Sequence, residues 1–160
     1  TEGSALSLPY EDESFDIVLC VYMLQHTPNP KLGFLEAARV AEAGGTVLYS
    51  IGRENGLGAV HSKTRNLFGW VPASFRRSTV LPFVPLYWSL LKATGSRKAS
   101  ENDLTIDLVD WLYNPLQKFV PETDILAWFD EAGLSYTSLG YTGLLKSMHV
   151  CRGIKLERRA

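Results

Sequence analysis

The chain has 160 residues, 46% of them hydrophobic and 21% charged, which is the size and apolar content of one globular domain and excludes disorder throughout. Sixteen Lys and Arg against seventeen Asp and Glu leave a net charge of −1, so no global charge draws the chain toward nucleic acid or anionic lipid. No apolar run reaches the ~18–20 residues of a spanning helix, and no basic-then-apolar leader is visible.

In chain order, the turn-prone Glu11-Asp12-Glu13-Ser14 introduces Phe15 to Tyr22, a nearly unbroken apolar run that reads as a buried strand. A strand so uniformly apolar is expected to be covered on both faces and flanked on both sides. Little precedes it, and Thr1 is not a methionine, so the chain reads as a piece of something longer. From Pro30, Leu32, Leu35, Ala38 and Ala41 recur at helical spacing, with Gly44-Gly45 expected to stop the helix, and Thr46 to Ile51 form a second strand. Strand, helix and strand with short connections make a βαβ unit with parallel strands.

Residues 52 to 120 differ in character. Residues 51–100 carry eight bases and one acid, while 1–50 carry two and seven. The segment holds Trp70, Phe75, Arg76-Arg77, an apolar stretch from Leu81 to Leu91 and a polar break from Gly95 to Asn102. A structureless loop of this length is unusual, so helices are expected here, forming an inserted cap. Gly52, Gly56 and Gly58 lack the Gly-x-Gly-x-x-Gly spacing of a nucleotide loop and read as a flexible entry into the insertion. Pro121-Glu122 then opens a helix with Ile125, Leu126, Phe129 and Ala132 on one face and Gly133 at its end. Leu134 to Leu139 and Leu144 to Cys151 read as an antiparallel hairpin around Gly140 and Gly143, which makes the sheet mixed. The expected divisions are thus 1–51 for the βαβ half, 52–120 for the cap, and 121–160 for the last helix and hairpin. Cys20 and Cys151 each lie in an apolar run and read as buried free thiols in a reducing, cytoplasmic setting.

The order and spacing of Gly3-Ser4-Ala5, Leu8-Pro9-Tyr10, the acidic turn and Phe15-Asp16 resemble a segment of the class I S-adenosylmethionine-dependent methyltransferases. Met23-Leu24-Gln25-His26 with its proline turn, Gly44-Gly45-Thr46-Val47-Leu48, and Thr123 to Leu134 are similar to later segments of the same family, of the type 11 kind. The resemblance covers both ends of the chain and places the middle as an insertion. It implies an α/β, partial Rossmann-like fold, a mixed sheet ending in an antiparallel hairpin, and S-adenosylmethionine as cofactor. It also implies that the family's glycine-rich turn and ribose-binding acid, which come before this region, are lacking here.

Carried over by position, the resemblance makes Ser4 and Ala5 adenine contacts, with Ser4 in place of the family's usual acid. Cys20 and Val21 fall beside the methionine end of the cofactor, and their plainer reading is core packing. Tyr22, Trp111 and Phe119 fall on the acceptor side, with Asp110 to Pro115 resembling a segment near the acceptor in bacterial relatives. His26 follows the carboxyl end of the first strand, where an imidazole can take a proton from an acceptor hydroxyl or amine; its plainer reading is a histidine packed in the turn before Pro28. His61 and His149 have no spacing that suggests metal or catalysis and read as surface and strand residues, and no metal site is expected.

The function implied is methyl transfer to a small molecule, by a fragment inactive alone. The alternative is a noncatalytic interaction or membrane-surface module using the basic, apolar insertion. The open edge of the first strand also predicts self-association.

Overall fold

In the computed structural model, the structure describes residues 2–54, 68–93, 100–114, 116–142 and 148–156. The chain divides into two compact units, one of residues 1–55 and 116–160, the other of residues 56–115.

The first unit is a four-stranded mixed sheet with helices on one face. β1 (Phe15–Cys20) pairs in parallel with β2 (Ala41–Gly52), and between them runs α1 (Pro30–Val40). The Asn29 side chain accepts from the Leu32 amide at 3.2 Å and Pro30 stands at the first helical position, a pairing that starts helices well. α1 stops at Val40 rather than at Gly44-Gly45, and β2 begins five residues before Thr46. The reason is tertiary. The last carbonyls of α1 are taken by the amides of Glu13 and Ser14 and by the Lys155 ammonium, which reaches the Ala41 carbonyl at 2.7 Å. The extra residues of β2 are absorbed in an irregularity, where pairing steps from Phe15–Ala41 to Ile17–Thr46. Gly44 makes this step at φ +79°, a left-handed conformation that a β-carbon resists.

β3 (Leu134–Thr142) and β4 (Met148–Lys155) form the expected antiparallel hairpin, but longer and displaced relative to the expected strands. Gly140 lies in a bulge within β3 rather than in the turn, and Leu144 and Gly143 lie outside the described residues. β4 also pairs antiparallel to β2, giving the order β1-β2-β4-β3.

Alternation along the strands puts Val47, Tyr49, Ile51, Cys151 and His149 on one face, and the first four join the main core. α5 (Glu122–Glu131) places acids Glu122 and Asp124 in its first turn, where the helix dipole favours them. Its Phe129 packs edge-on against Phe34, Tyr49 and Tyr136 at centroid distances of 5.0, 5.6 and 5.1 Å, and Phe34 stacks on Tyr49 at 4.0 Å. Such aromatic contacts add about 0.5–1.5 kcal/mol per pair beyond area burial. One face of β1 is bare among the described residues: Ile17 and Leu19 point away from the helices and are 60% and 65% exposed. Cys20 and Cys151 are buried and free, as the sequence suggests.

The second unit holds the expected helices: α2 (Ala73–Val80), α3 (Val84–Ala93) and α4 (Glu101–Tyr113). Ser100 and Asp103 cap α4 reciprocally, each side chain bonding the other's backbone amide at 3.1 Å. Val71, Val80, Val84, Leu104, Leu108 and Tyr113 form its small core.

Candidate functional site

In the first unit, the carboxyl ends of the parallel strands form a rim, the position where open α/β sheets place ligands. Gly52, the last residue of β2, pairs with Met148, and Met148 pairs with Thr142 at the end of β3. Tyr22, just past β1, reaches along this rim and bonds the Thr142 hydroxyl at 3.1 Å. Its backbone is left-handed at φ +55°. That conformation is uncommon for a bulky residue and collects at functional sites, where surrounding structure holds the strain.

The rim closes on its other side through residues 117–120. The Lys118 amide donates to the Gln25 carbonyl at 2.8 Å, and the Val120 amide to the Gly52 carbonyl at 2.8 Å. A β-carbon on Gly52 would stand 2.8 Å from the Lys118 carbonyl and 3.4 Å from Phe119, so only glycine fits there. Tyr22, His26 and Phe119 therefore belong to one rim. His26 is half-buried in the 3-10 turn Leu24–His26, whose Leu24 and Gln25 are buried. Trp111 stands in the last turn of α4, in the second unit, and is half-buried there.

Ser4 and Ala5 sit in a tight turn: the Ser7 amide donates to the Ser4 carbonyl at 3.0 Å and the Leu6 amide to the Ser4 hydroxyl at 3.2 Å. This segment is pinned to α1 by Arg39. Its guanidinium holds the Glu36 carboxylate at 2.9 Å, the Asp12 carboxylate at 2.7 Å, and the carbonyls of Leu8 and Tyr10, while Glu36 accepts the Leu8 amide. The hydrogen bond from Arg39 keeps the Glu36 carboxyl below its ordinary value. Between the pinned segment, β1 and α1 lies an apolar trough of about 250 Å³ lined by residues including Ala5, Tyr10, Ile17, Leu19 and Met23. Cys20 faces the core beneath it, and burial pushes its thiol up to about 11. Val21 is exposed at the strand end.

His149 is the residue whose setting the sequence does not announce. It lies on β4 as a strand residue, but fully buried. Its Nε2 is 3.1 Å from both the Tyr136 and Ser138 hydroxyls, and its Nδ1 is buried with no hydrogen-bond partner among the described residues. Desolvation lowers its pKa, a nearby Glu122 opposing and Arg53 adding. Tyr141 packs over the ring at 4.8 Å, with the Arg53 guanidinium 4.4 Å from the Tyr141 centroid and 3.7 Å from Glu122. The available signal was alternation: His149 shares its face with Cys151 and Gly153, which are inward residues of β4. His61 lies outside the described residues. Among the described residues no group of three His, Cys, Asp or Glu is placed to hold a metal.

A family described as methyltransferase domain matches residues 1–49, the stretch that builds the pinned turn, the trough and the first part of the rim. Over these residues the chain is similar to that methyltransferase family. It is 31% identical over 113 residues to a ubiquinone biosynthesis O-methyltransferase of Idiomarina loihiensis, covering 67% of this chain and 42% of that protein. It is 27% identical over 161 residues to a demethylmenaquinone methyltransferase of Bacillus mycoides, covering 98% of this chain and 56% of that protein. The chain thus spans about half the length of these methyltransferases. The fold matches a SAM-dependent methyltransferase of Thermotoga maritima with a TM-score of 0.54 at 19% identity, over 96% of this chain and 62% of that one.

Proposed function

We propose that this chain serves methyl transfer from S-adenosylmethionine to a small-molecule acceptor, as a portion of a longer protein and without activity alone. One observation carries the reading: the methyltransferase match falls on the residues that build the trough and the start of the rim. The trough, apolar and with the Ser4 hydroxyl nearby, suits a flat heteroaromatic ring such as adenine. Among its lining residues none is charged, so the ribose hydroxyls and the charged methionine end need partners from elsewhere, and the fit is to part of the cofactor only.

S-adenosylmethionine supplies an electrophilic methyl group, and what remains for the protein is alignment. Ser4 and Ala5 take the adenine. Cys20, its thiol buried, contributes through its main chain, and Val21 through its exposed side chain. Tyr22 and Phe119 offer aromatic surface to the acceptor, in keeping with the quinone-pathway names of the two relatives. His26 takes the proton released as the acceptor attacks. In the product of the intact reading frame, His26→Gln is expected to lower kcat by about 100-fold or more with little change in KM, the general-base range; an unchanged kcat would return His26 to a packing role.

The test of the whole reading is calorimetry with S-adenosylhomocysteine, on this chain and on the product of its intact reading frame. Binding by the longer protein alone supports the proposal in full; binding by both removes only the fragment clause; binding by neither overturns it.

Two contacts belong to the same proposal. The exposed Ile17 and Leu19 on the open edge of β1 favour self-association, which Ile17→Lys with Leu19→Lys should abolish in sedimentation. The second unit favours contact with a membrane surface, although no described helix is long and apolar enough to cross one. The free cysteines favour a reducing, cytoplasmic compartment.

A further inference from the structure

Residues 55–100 contain seven Lys and Arg and no Asp or Glu. Within that run the described helices present an unusual surface. Val84, Tyr87, Trp88 and Leu91 of α3 turn toward the core of the second unit. At 100° per residue, Leu86 and Leu90 fall on the opposite face, with Phe83 from the preceding turn beside them. All three are exposed, Leu86 at 71%. Trp70, at 79%, and Phe75 add two exposed aromatics from the adjoining stretch of chain. A helix apolar on both faces has one face in its own core and another with nothing over it among the described residues.

The charges on α2 and α3 are of one sign, while Asp110 of α4 lines a pocket with Arg77. Arg77 and Lys92 are exposed and Arg76 is partly so. Arg76 lies over the Tyr113 ring at 5.2 Å and Lys92 over the Trp88 ring at 4.9 Å. Among the described residues none of the three pairs with a carboxylate. The acids of the second unit, Glu101, Asp103, Asp107 and Asp110, are confined to α4. Protein partners commonly meet a surface of mixed charge, whereas an anionic bilayer selects against every acid and rewards apolar side chains flanked by bases.

We infer that the exposed face of α3, with Trp70 and Phe75, docks on the surface of an anionic lipid bilayer. This rests on the membrane contact proposed above and names its residues and its lipid chemistry. It is independent of methyl transfer, which calorimetry reads separately.

The experiment is vesicle flotation with the chain, using phosphatidylcholine vesicles and vesicles enriched in phosphatidylglycerol. The wild-type chain should float with the anionic vesicles, less as salt rises, and Trp70 emission should shift to the blue, a shift lost in Trp70→Phe. Leu86→Glu with Leu90→Glu, both exposed and so compatible with the fold by circular dichroism, should lower binding at least tenfold. Arg77→Glu with Lys92→Glu should lower it about fivefold or more per reversed charge. Equal binding to both vesicle types would overturn the proposed recognition of anionic lipid, and no binding to either would overturn membrane docking itself. Undiminished binding by the Leu86→Glu, Leu90→Glu variant would overturn this face.

Discussion

The two units bury apolar side chains in opposite ways. The first puts its largest ones, Tyr49, Phe34 and Phe129, inside a single cluster between sheet and helices. The second keeps mainly aliphatic residues and Tyr113 inside and leaves Trp70, Phe75, Phe83 and Leu86 outside. Its helices are also short, of 8, 10 and 13 residues, and isolated helices of that length are marginal in water. The lesson is that the sheet unit gathers its bulkiest side chains into one core beneath the rim, while the helical unit leaves large apolar side chains exposed among the described residues.

This contrast can be broken or sharpened by measurement. The largest effect is expected from Phe129→Ala, which removes the ring shared by Phe34, Tyr49 and Tyr136 and should cost about 3–5 kcal/mol in urea unfolding; a loss under about 1 kcal/mol would show that the cluster is not what holds the sheet unit. Next comes pH. The lowered pKa of His149 means the folded protein releases its proton more readily than the unfolded chain, so its stabilising contribution is present above about 6.5 and lost as pH falls through the folded value. Thermal melts should therefore weaken below pH 6.5, before the carboxylate range where Glu36 protonates, and His149→Gln should flatten that first decline. Ser100→Ala, which removes the reciprocal cap of α4, should cost about 1 kcal/mol and raise amide exchange in the first turn of α4 while leaving β2 and β4 protected. As a check on the sheet core, Cys20 and Cys151 should react with Ellman's reagent only on unfolding, since burial pushes their thiols up to about 11 and about 12.

Much of the fold can be read from the chain because its signals are local. Pro30 with Asn29 starts α1, Pro121 with Glu122 starts α5, and the apolar run from Phe15 marks β1. The start of β2 was not legible, because Ala41-Glu42-Ala43 has little strand preference and becomes strand only by meeting Phe15 and by the donors that end α1. Gly140 reads as a turn residue, yet its bulge is set by pairing with β4. At the rim, a turn after the strand was predictable, but the left-handed Tyr22 and the setting of His149 depend on residues more than a hundred and about ten positions away, Thr142 and the Tyr136–Ser138 pair. No spacing rule connects them.

The chain leaves the first unit after Gly52 and returns to it before Val120, and at that doorway the two passes are tied together. Arg53 bridges Val120 in parallel, and the Glu54 amide donates to the Val120 carbonyl at 2.9 Å. Whatever is carried between them closes a loop whose ends are already fixed, and such loops tolerate changes of length at small entropic cost. A change of length in the helical segment is therefore expected to leave the ties between Arg53, Glu54 and Val120 in place.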